Sequence, residues 1–134
     1  MYTCAKIYLG YQITYKRGIP VEICEARIRF ARVEYICEGT RAIVSLTFHW
    51  KQGSYYREFD TRKYVEYLRL KKLMAWTNSS SYEALEGKKV RVLKSNRMVY
   101  GFGSMVSDAF VTEGNHFFKA PENGLMKFYK LHHA

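Results

Sequence analysis

The sequence predicts an α+β domain with an N-terminal antiparallel β-sheet (a meander), one amphipathic helix, a short helical turn and a C-terminal β-hairpin. Residues 1–59 alternate with a period of two, residues 60–87 contain a helical pattern, and residues 88–112 return to a period of two. The length of 134 residues, 48% of them hydrophobic and 25% charged, is typical of one globular domain.

The clearest predicted strand of the meander is Ala42 to Trp50. One face carries large apolar side chains and the other carries polar ones, so the polar face is expected to be the wetter. The apolar set is Val44, Leu46, Phe48 and Trp50, and the polar set is Ser45, Thr47 and His49.

A second strand, Ala26 to Ile36, changes parity once. Its inward set begins with Ile28 and Phe30 and continues with Val33 and Tyr35, so a β-bulge is expected near Ala31. Tyr2 to Tyr15 is less regular and is predicted as a further strand. Turns are expected at three glycine-containing sites: Arg17-Gly18, Glu38-Gly39-Thr40 and Gln52-Gly53-Ser54.

In the helical segment, Asp60 or Thr61 is expected to act as N-cap of a helix that runs to about Trp76. Ser80 with Glu83 resembles a capping box for one helical turn ending near Gly87. The helical spacing predicts a face against the sheet and an opposite, charged face. The first comprises Tyr64, Tyr67, Leu68, Met74 and Ala75, and the second Arg62, Glu66, Arg69 and Lys72.

The C-terminal hairpin is predicted from Lys88, with Val90 and Val92 inward and Lys89 and Arg91 outward. A turn at Ser95-Asn96 would lead to a return strand from Met98 to Met105. Residues 113–134 are predicted to form a loop and a short docking element.

The net charge of +10 is concentrated in the middle of the chain. Residues 61–99 hold ten basic and three acidic residues, whereas residues 100–134 hold three of each. Such an excess favours a polyanionic partner, and the alternative is an ordinary solvated surface. The predicted polyanion- or partner-binding residues are Arg62, Arg69, Lys72, Lys88, Lys89, Arg91, Lys94 and Arg97.

The chain contains 12 tyrosines among its aromatic residues, more than a small core needs. Tyrosine and arginine are enriched in protein interfaces, so an aromatic interface is predicted, the alternative being half-buried tyrosines on a sheet. Tyr100-Gly101-Phe102-Gly103 resembles a fragment of the RNA-recognition signature, but the pattern is more typical of packing. The predicted interface residues are Tyr11, Tyr15, Tyr55, Tyr56, Arg57, Tyr100 and Phe102.

The three cysteines include no close pair, which favours a reducing compartment over a disulfide framework. The only close histidines, His132 and His133, lie at the C-terminus, so no metal site and no cofactor are predicted. No run of 18 apolar residues and no signal-peptide pattern occurs. The expected location is therefore the cytoplasm, without a membrane span.

No motif in the sequence places a nucleophile beside a base or pairs two acids at catalytic spacing. The chain also lacks a phosphate-binding glycine loop and the motifs typical of zinc hydrolases and deaminases. A non-enzymatic protein is therefore predicted. His49, which shares a strand face with Ser45 and Thr47, is the residue around which an unrecognised catalytic site is most plausible.

Residues 82–92, followed by Gly103 and Asp108-Ala109-Phe110, resemble a family of small conserved bacteriophage proteins. That family carries an aromatic-Glu-x-Leu-x-Gly-Lys-x-Val-Arg-Val run, then a glycine-containing strand and an Asp-x-aromatic. The resemblance covers residues 26–111 and departs at Glu38-Gly39-Thr40-Arg41, where the family has an acidic-His-Gly turn. It implies a phage or prophage source and a similar α+β fold, without implying a chemistry.

Together these observations predict a phage-type binding protein that acts in an infected or lysogenic bacterial host. The leading hypothesis is an inhibitor that docks on a host defence nucleoprotein, as anti-CRISPR proteins do. One alternative is a nucleic-acid-binding accessory protein that uses the basic residues 61–99. A second alternative is a small enzyme around His49.

Overall fold

The computed structural model describes residues 7–8, 11–12, 14–15, 19–20, 22–95, 98–106, 109–112, 118–119 and 127–129. The first strands are β1 (Ile7–Tyr8), β2 (Tyr11–Gln12), β3 (Thr14–Tyr15), β4 (Ile19–Pro20), β5 (Glu22–Ile36), β6 (Arg41–Trp50) and β7 (Gly53–Asp60). After them come α1 (Tyr64–Thr77), β8 (Lys89–Lys94), β9 (Val99–Gly103), β10 (Ala109–Thr112), β11 (Phe118–Lys119) and β12 (Lys127–Tyr129).

Among the described residues, seven strands form one sheet in the order β12-β10-β9-β8-β5-β6-β7. All neighbouring strands in it are antiparallel except β10 and β12, which are parallel. The protein is therefore a largely antiparallel sheet with one helix. The predicted hairpin residues, 88–112, contain three strands, and β8 joins the N-terminal strands by pairing with β5.

The core lies between the inner face of this sheet and α1. Leu70, Leu73 and Met74 of the helix pack with strand residues such as Phe48 and Phe102, whose rings stack with centroids 4.5 Å apart. On β6 the alternation is as predicted. Val44, Leu46 and Phe48 are fully buried, whereas Ser45 and Thr47 are half-buried and His49 is exposed.

The predicted parity change in the second strand is confirmed, but it lies earlier in the chain. The register between β5 and β6 shifts between Ile28 and Phe30, which makes Arg29 the extra residue. Phe30 is consequently on the outer face and 44% exposed, so its predicted inward position was wrong. Tyr35 is also exposed, with its hydroxyl donating to Glu83 at the border of the sheet.

The helix presents a different face to the sheet from the predicted one. Val65, Leu70, Leu73 and Met74 are buried, and so is Arg69. The predicted face was wrong because Val65, Leu70 and Leu73 make the apolar contact, and the ion pair with Glu66 allows Arg69 to be buried beside them. Of the predicted set, Met74 is buried, Tyr67 and Leu68 are half-buried, and Tyr64 and Ala75 are exposed.

The predicted caps also differ. The N-cap residue of α1 is Lys63 and makes no side-chain capping bond. The Thr61 hydroxyl instead accepts the Ala42 N–H at 2.8 Å, and the Asp60 carboxylate binds Arg62. In the 3-10 turn Glu83–Leu85, the Ala84 N–H donates to Ser81 rather than to Ser80.

The turns fit the local backbone. The 3-10 turn Cys37–Gly39 joins β5 to β6 at the predicted position, and its Gly39 adopts a φ of 86°, which favours glycine. Between β6 and β7 the turn residues are Lys51 and Gln52, with Gly53 already in the strand. Within residues 2–15, predicted as one strand, the described residues form three strands of two residues. The turn expected at Arg17-Gly18 lies outside the described residues.

Candidate nucleic-acid interface

The predicted basic residues of the helical segment do not form a free patch. Arg69 is only 3% exposed, and its Nη1 lies 2.8 Å from Oε2 of Glu66. Arg62 is exposed but binds Asp60, at 2.8 Å between Nη2 and Oδ2. Their role in polyanion binding stays a prediction, and the neighbouring carboxylates reduce the positive charge that the two arginines present.

The Asp60–Arg62 pair is electrostatically coupled. Side-chain and then backbone hydrogen bonds from Arg62 lower the pKa of Asp60 from 3.8 to about 2. The side-chain hydrogen bond to Asp60, and then the negative charge of Asp60, raise the pKa of the Arg62 guanidinium above its usual value. Both groups therefore remain charged at neutral pH, and the pair contributes no net charge to the surface.

The basic residues of the predicted hairpin also differ in how far other groups already bind them. Lys89 lies 3.4 Å from Glu25, and Lys94 lies 4.0 Å from Glu22. Arg91 donates to the Ser104 carbonyl oxygen at 3.1 Å. Lys72 and Lys88 are half-buried. Arg97 lies outside the described residues.

The predicted aromatic interface is mostly core. Tyr100 is 4% exposed and Phe102 fully buried, which excludes both from an interface on the folded protein. Tyr55 is half-buried with its ring 6.1 Å from that of Phe102, and Arg57 binds Glu66. Only Tyr56, 58% exposed, has the predicted accessibility. The side chains of Tyr11 and Tyr15 lie outside the described part of the chain.

A different basic surface emerges on the side of the sheet that faces away from α1. We call it the outer face and define it by the outward side chains of β5 to β8. Arg27 is the direct cross-strand neighbour of both Lys89 on β8 and His49 on β6. Arg29 and Arg32 follow along β5 and are exposed, and the exposed carboxylates of Glu34 on β5 and Glu58 on β7 lie on the same face.

A shallow groove of about 570 Å³ is lined by Arg27, Arg29 and Lys89 of this surface. Lys51, from the turn after β6, adds a further cation, and Glu25 is the acidic residue in the lining. The walls are formed by Glu25, Ala26, Arg27, Arg29, His49, Trp50, Lys51 and Lys89. Lys89 is partly neutralised by Glu25, but the three remaining lysine and arginine side chains give the groove a positive potential.

Two exposed rings share the outer face with these cations. Phe30 pairs with Thr47, and Thr47 pairs with Tyr56, so the three residues form one row across β5, β6 and β7. The strand spacing places the two aromatic positions about 10 Å apart. The guanidinium of Arg29 lies 5.6 Å from the centroid of the Phe30 ring. The outer face thus combines cations with accessible π-systems.

This surface was not predicted, because the density of charge along the chain does not show which charges meet in space. Arg27, Arg29 and Arg32 belong to residues 1–60, which hold nine basic and six acidic residues and are thus less basic than residues 61–99. The sequence feature that could have predicted this surface is the presence of Arg27 and Arg29 at alternate positions of one strand. The bulge brings Arg32 to the same face. That prediction required the correct position of the bulge.

The residue singled out for catalysis, His49, lies exposed at the end of β6 on the outer face, opposite Ser54 of β7. No group of three or more histidine, cysteine or acidic residues in the described ranges could hold a metal ion. Cys24 is buried and Cys37 is exposed. No helix within the described ranges has the length and apolarity needed to cross a membrane.

Comparison of the chain with protein-family models, with curated proteins and with solved structures finds no match.

Proposed function

We propose that the protein binds single-stranded nucleic acid, without catalysing a reaction, through the outer face of its sheet. The observation that carries this proposal is the coincidence of Arg29 and Arg32 with the exposed rings of Phe30 and Tyr56 on one surface. Phosphates would lie along the arginines, and bases would stack on the rings.

The arrangement favours a single strand over a duplex. Stacking on a side chain requires an unpaired base, and the rings belong to a sheet rather than to a helix that could enter a major groove. Sequence-independent binding is expected, because aromatic rings and guanidinium groups recognise features that all nucleotides share.

The experiment is fluorescence anisotropy with a labelled oligonucleotide, single-stranded and as a duplex, at about 50 and about 200 mM salt. We expect tighter binding of the single strand, with affinity that falls steeply as salt rises. Phe30→Ala should weaken binding about tenfold through lost stacking. Arg29→Ala with Arg32→Ala should weaken it further and reduce the salt dependence.

The matched control is Lys63→Ala, which removes an exposed cation outside the outer face. It should leave the affinity within about twofold, because a distant surface charge is screened at these ionic strengths. Equal affinity for duplex and single strand, or an unchanged affinity of Phe30→Ala, would rule out base stacking on this face.

A second candidate is an inhibitor of a host defence nucleoprotein, in a phage or prophage context. It is favoured by the exposed Tyr56, whose hydroxyl donates to Glu58 at 2.8 Å and leaves the ring accessible on the outer face. Accessible tyrosine beside arginine is typical of protein hot spots. A purified nucleoprotein that binds the chain, and releases it on Tyr56→Ala but not on Lys63→Ala, would support this candidate.

A further inference from the structure

A second concave site lies at the opposite end of β6 from His49. Its cavity of about 520 Å³ is of a size that holds small-molecule ligands. We call it the tyrosine pocket, and it is lined by Thr40, Arg41, Thr61, Arg62, Tyr64, Tyr67 and Tyr82. Arg41 is eight residues before His49 on the same strand, so the two sites are about 26 Å apart.

The tyrosine pocket is cationic. Its lining contains two arginines and no carboxylate. Arg41 donates to the carbonyl oxygen of Thr40 at 2.9 Å and has no acidic partner within the described ranges. Arg62 is held by Asp60 through Nε and Nη2, which fixes its guanidinium plane at the wall. A ligand that approaches Arg41 therefore meets an uncompensated positive charge.

The remaining wall is aromatic and hydroxylated. Burial raises the pKa of the Tyr82 phenol, the negative charge of ionised Tyr67 raises it further, and Arg41 opposes both effects. The three side chains line the same cavity, and the neutral Tyr82 phenol can donate a hydrogen bond to a ligand. Tyr64 is 69% exposed at the first residue of α1 and provides an accessible ring.

We infer that the tyrosine pocket binds a small molecule with a planar ring and a phosphate group, the chemistry of a nucleoside monophosphate. The phosphate would lie against Arg41, which can form two parallel hydrogen bonds to it. The ring would stack on the tyrosines, which also attract planar groups through their faces. This site is separate from the outer face and does not depend on the function proposed for it.

The test uses AMP as the probe, with adenosine and inorganic phosphate as partial ligands. Binding is measured by calorimetry, and the binding site is mapped by changes in backbone amide chemical shifts. We expect AMP to bind more tightly than either partial ligand and to shift the amides of residues 40–41, 61–67 and 82. Arg41→Ala should weaken AMP binding about tenfold or more, since it removes a charge-assisted pair. Tyr82→Leu should weaken it as well while leaving phosphate binding unchanged.

The matched control is Arg32→Ala, which lies on the outer face. It should leave the AMP affinity unchanged while weakening oligonucleotide binding, so the two sites fail separately. Adenosine binding as tight as AMP binding would overturn the role of the anion. AMP affinity unchanged by Arg41→Ala, or no detectable AMP binding at millimolar concentration, would overturn the site itself.

Discussion

Gly103 shows how much a single residue can determine in this sheet. It pairs with Phe110 of β10, and a Cβ atom built on Gly103 would lie 2.2 Å from Cε1 of the Phe110 ring. The ring of Phe110 is fully buried, so it has little room to withdraw. The absence of a side chain at position 103 is therefore a packing requirement.

Gly103→Ala is expected to destabilise the fold by about 1–3 kcal/mol, the usual penalty for overpacking a core. The measurement is urea unfolding followed by tryptophan fluorescence. In a double-mutant cycle, Phe110→Leu should absorb part of the penalty, because the smaller side chain leaves space for the new methyl group. Additive effects of the two changes would contradict the proposed contact.

The residues around this glycine were partly predictable. Glycine beside aromatic residues in Tyr100-Gly101-Phe102-Gly103 favoured packing over base stacking, and the burial of both rings confirms that interpretation. The partner of Gly103 could not be predicted. Phe110 is brought there by the pairing of β9 with β10, and no local pattern encodes the register of that pair.

At the scale of elements, Glu66 connects the helix to the sheet. Its carboxylate accepts from Nη1 and Nη2 of Arg57 on β7, each at 2.7 Å, and from Arg69 of its own helix at 2.8 Å. Burial opposes ionisation, but the hydrogen bonds and charges of Arg57, and then of Arg69, lower the pKa of Glu66 below its ordinary value of 4.5.

Glu66→Gln is expected to cost about 3 kcal/mol of stability at neutral pH, because it leaves two partly buried guanidinium groups without their counter-charge. Because the pKa of Glu66 is lower in the folded protein than its value of 4.5 in the unfolded chain, the ionised carboxylate stabilises the fold above pH 4.5. This stabilisation is lost as the pH falls through the folded pKa. The difference from wild type should therefore shrink below pH 4.5.

Urea unfolding at neutral and acidic pH measures this difference. The control is Glu58→Gln, which changes an exposed carboxylate on the neighbouring strand and should cost within about 0.5 kcal/mol. A Glu66→Gln penalty that is the same at both pH values would show that the pair stabilises the fold through shape rather than through charge.

The bulge in β5 is the element that a sequence pattern located only approximately. The apolar residues of β5 showed that the inward parity changes once, but one extra residue at any of several positions would produce the same change. The structure places it at Arg29, because Ile28 must meet Phe48 in the core while Val33 meets Val44. That choice decides whether Phe30 is buried or exposed, and with it the character of the outer face.

On the scale of the whole molecule, the strand order indicates which strands open least readily. β5, with 15 residues, is bonded on one side to β6 and on the other to β8, which comes 53 residues after the end of β5. The centre of the sheet therefore depends on strand pairs that are distant in sequence. Such central strands are the last to open in native proteins.

Amide hydrogen exchange is expected to be slowest in β5, β6 and β8. Exchange should be faster in β7, which has one bonded neighbour among the described strands and terminates the strand order. Mass spectrometry of exchanged peptides measures the pattern. Protection of β7 equal to that of β5 would indicate that a further strand, or a second copy of the chain, covers its outer edge.

The sequence by itself determined the elements of this protein: an alternating β6, a bulged β5, a helix after Asp60 and strands beyond Lys88. These depend on the local periodicity of apolar side chains, which is written in consecutive residues. Tertiary structure alone decided which charges remain available. Arg57 and Arg69 share the Glu66 carboxylate, Asp60 pairs with Arg62, and the pairing of β5 with β6 and β8 gathers the arginines of the outer face. Electrostatic partners are set by proximity in space, so the density of charge along the chain did not predict the arginines that come together on the outer face.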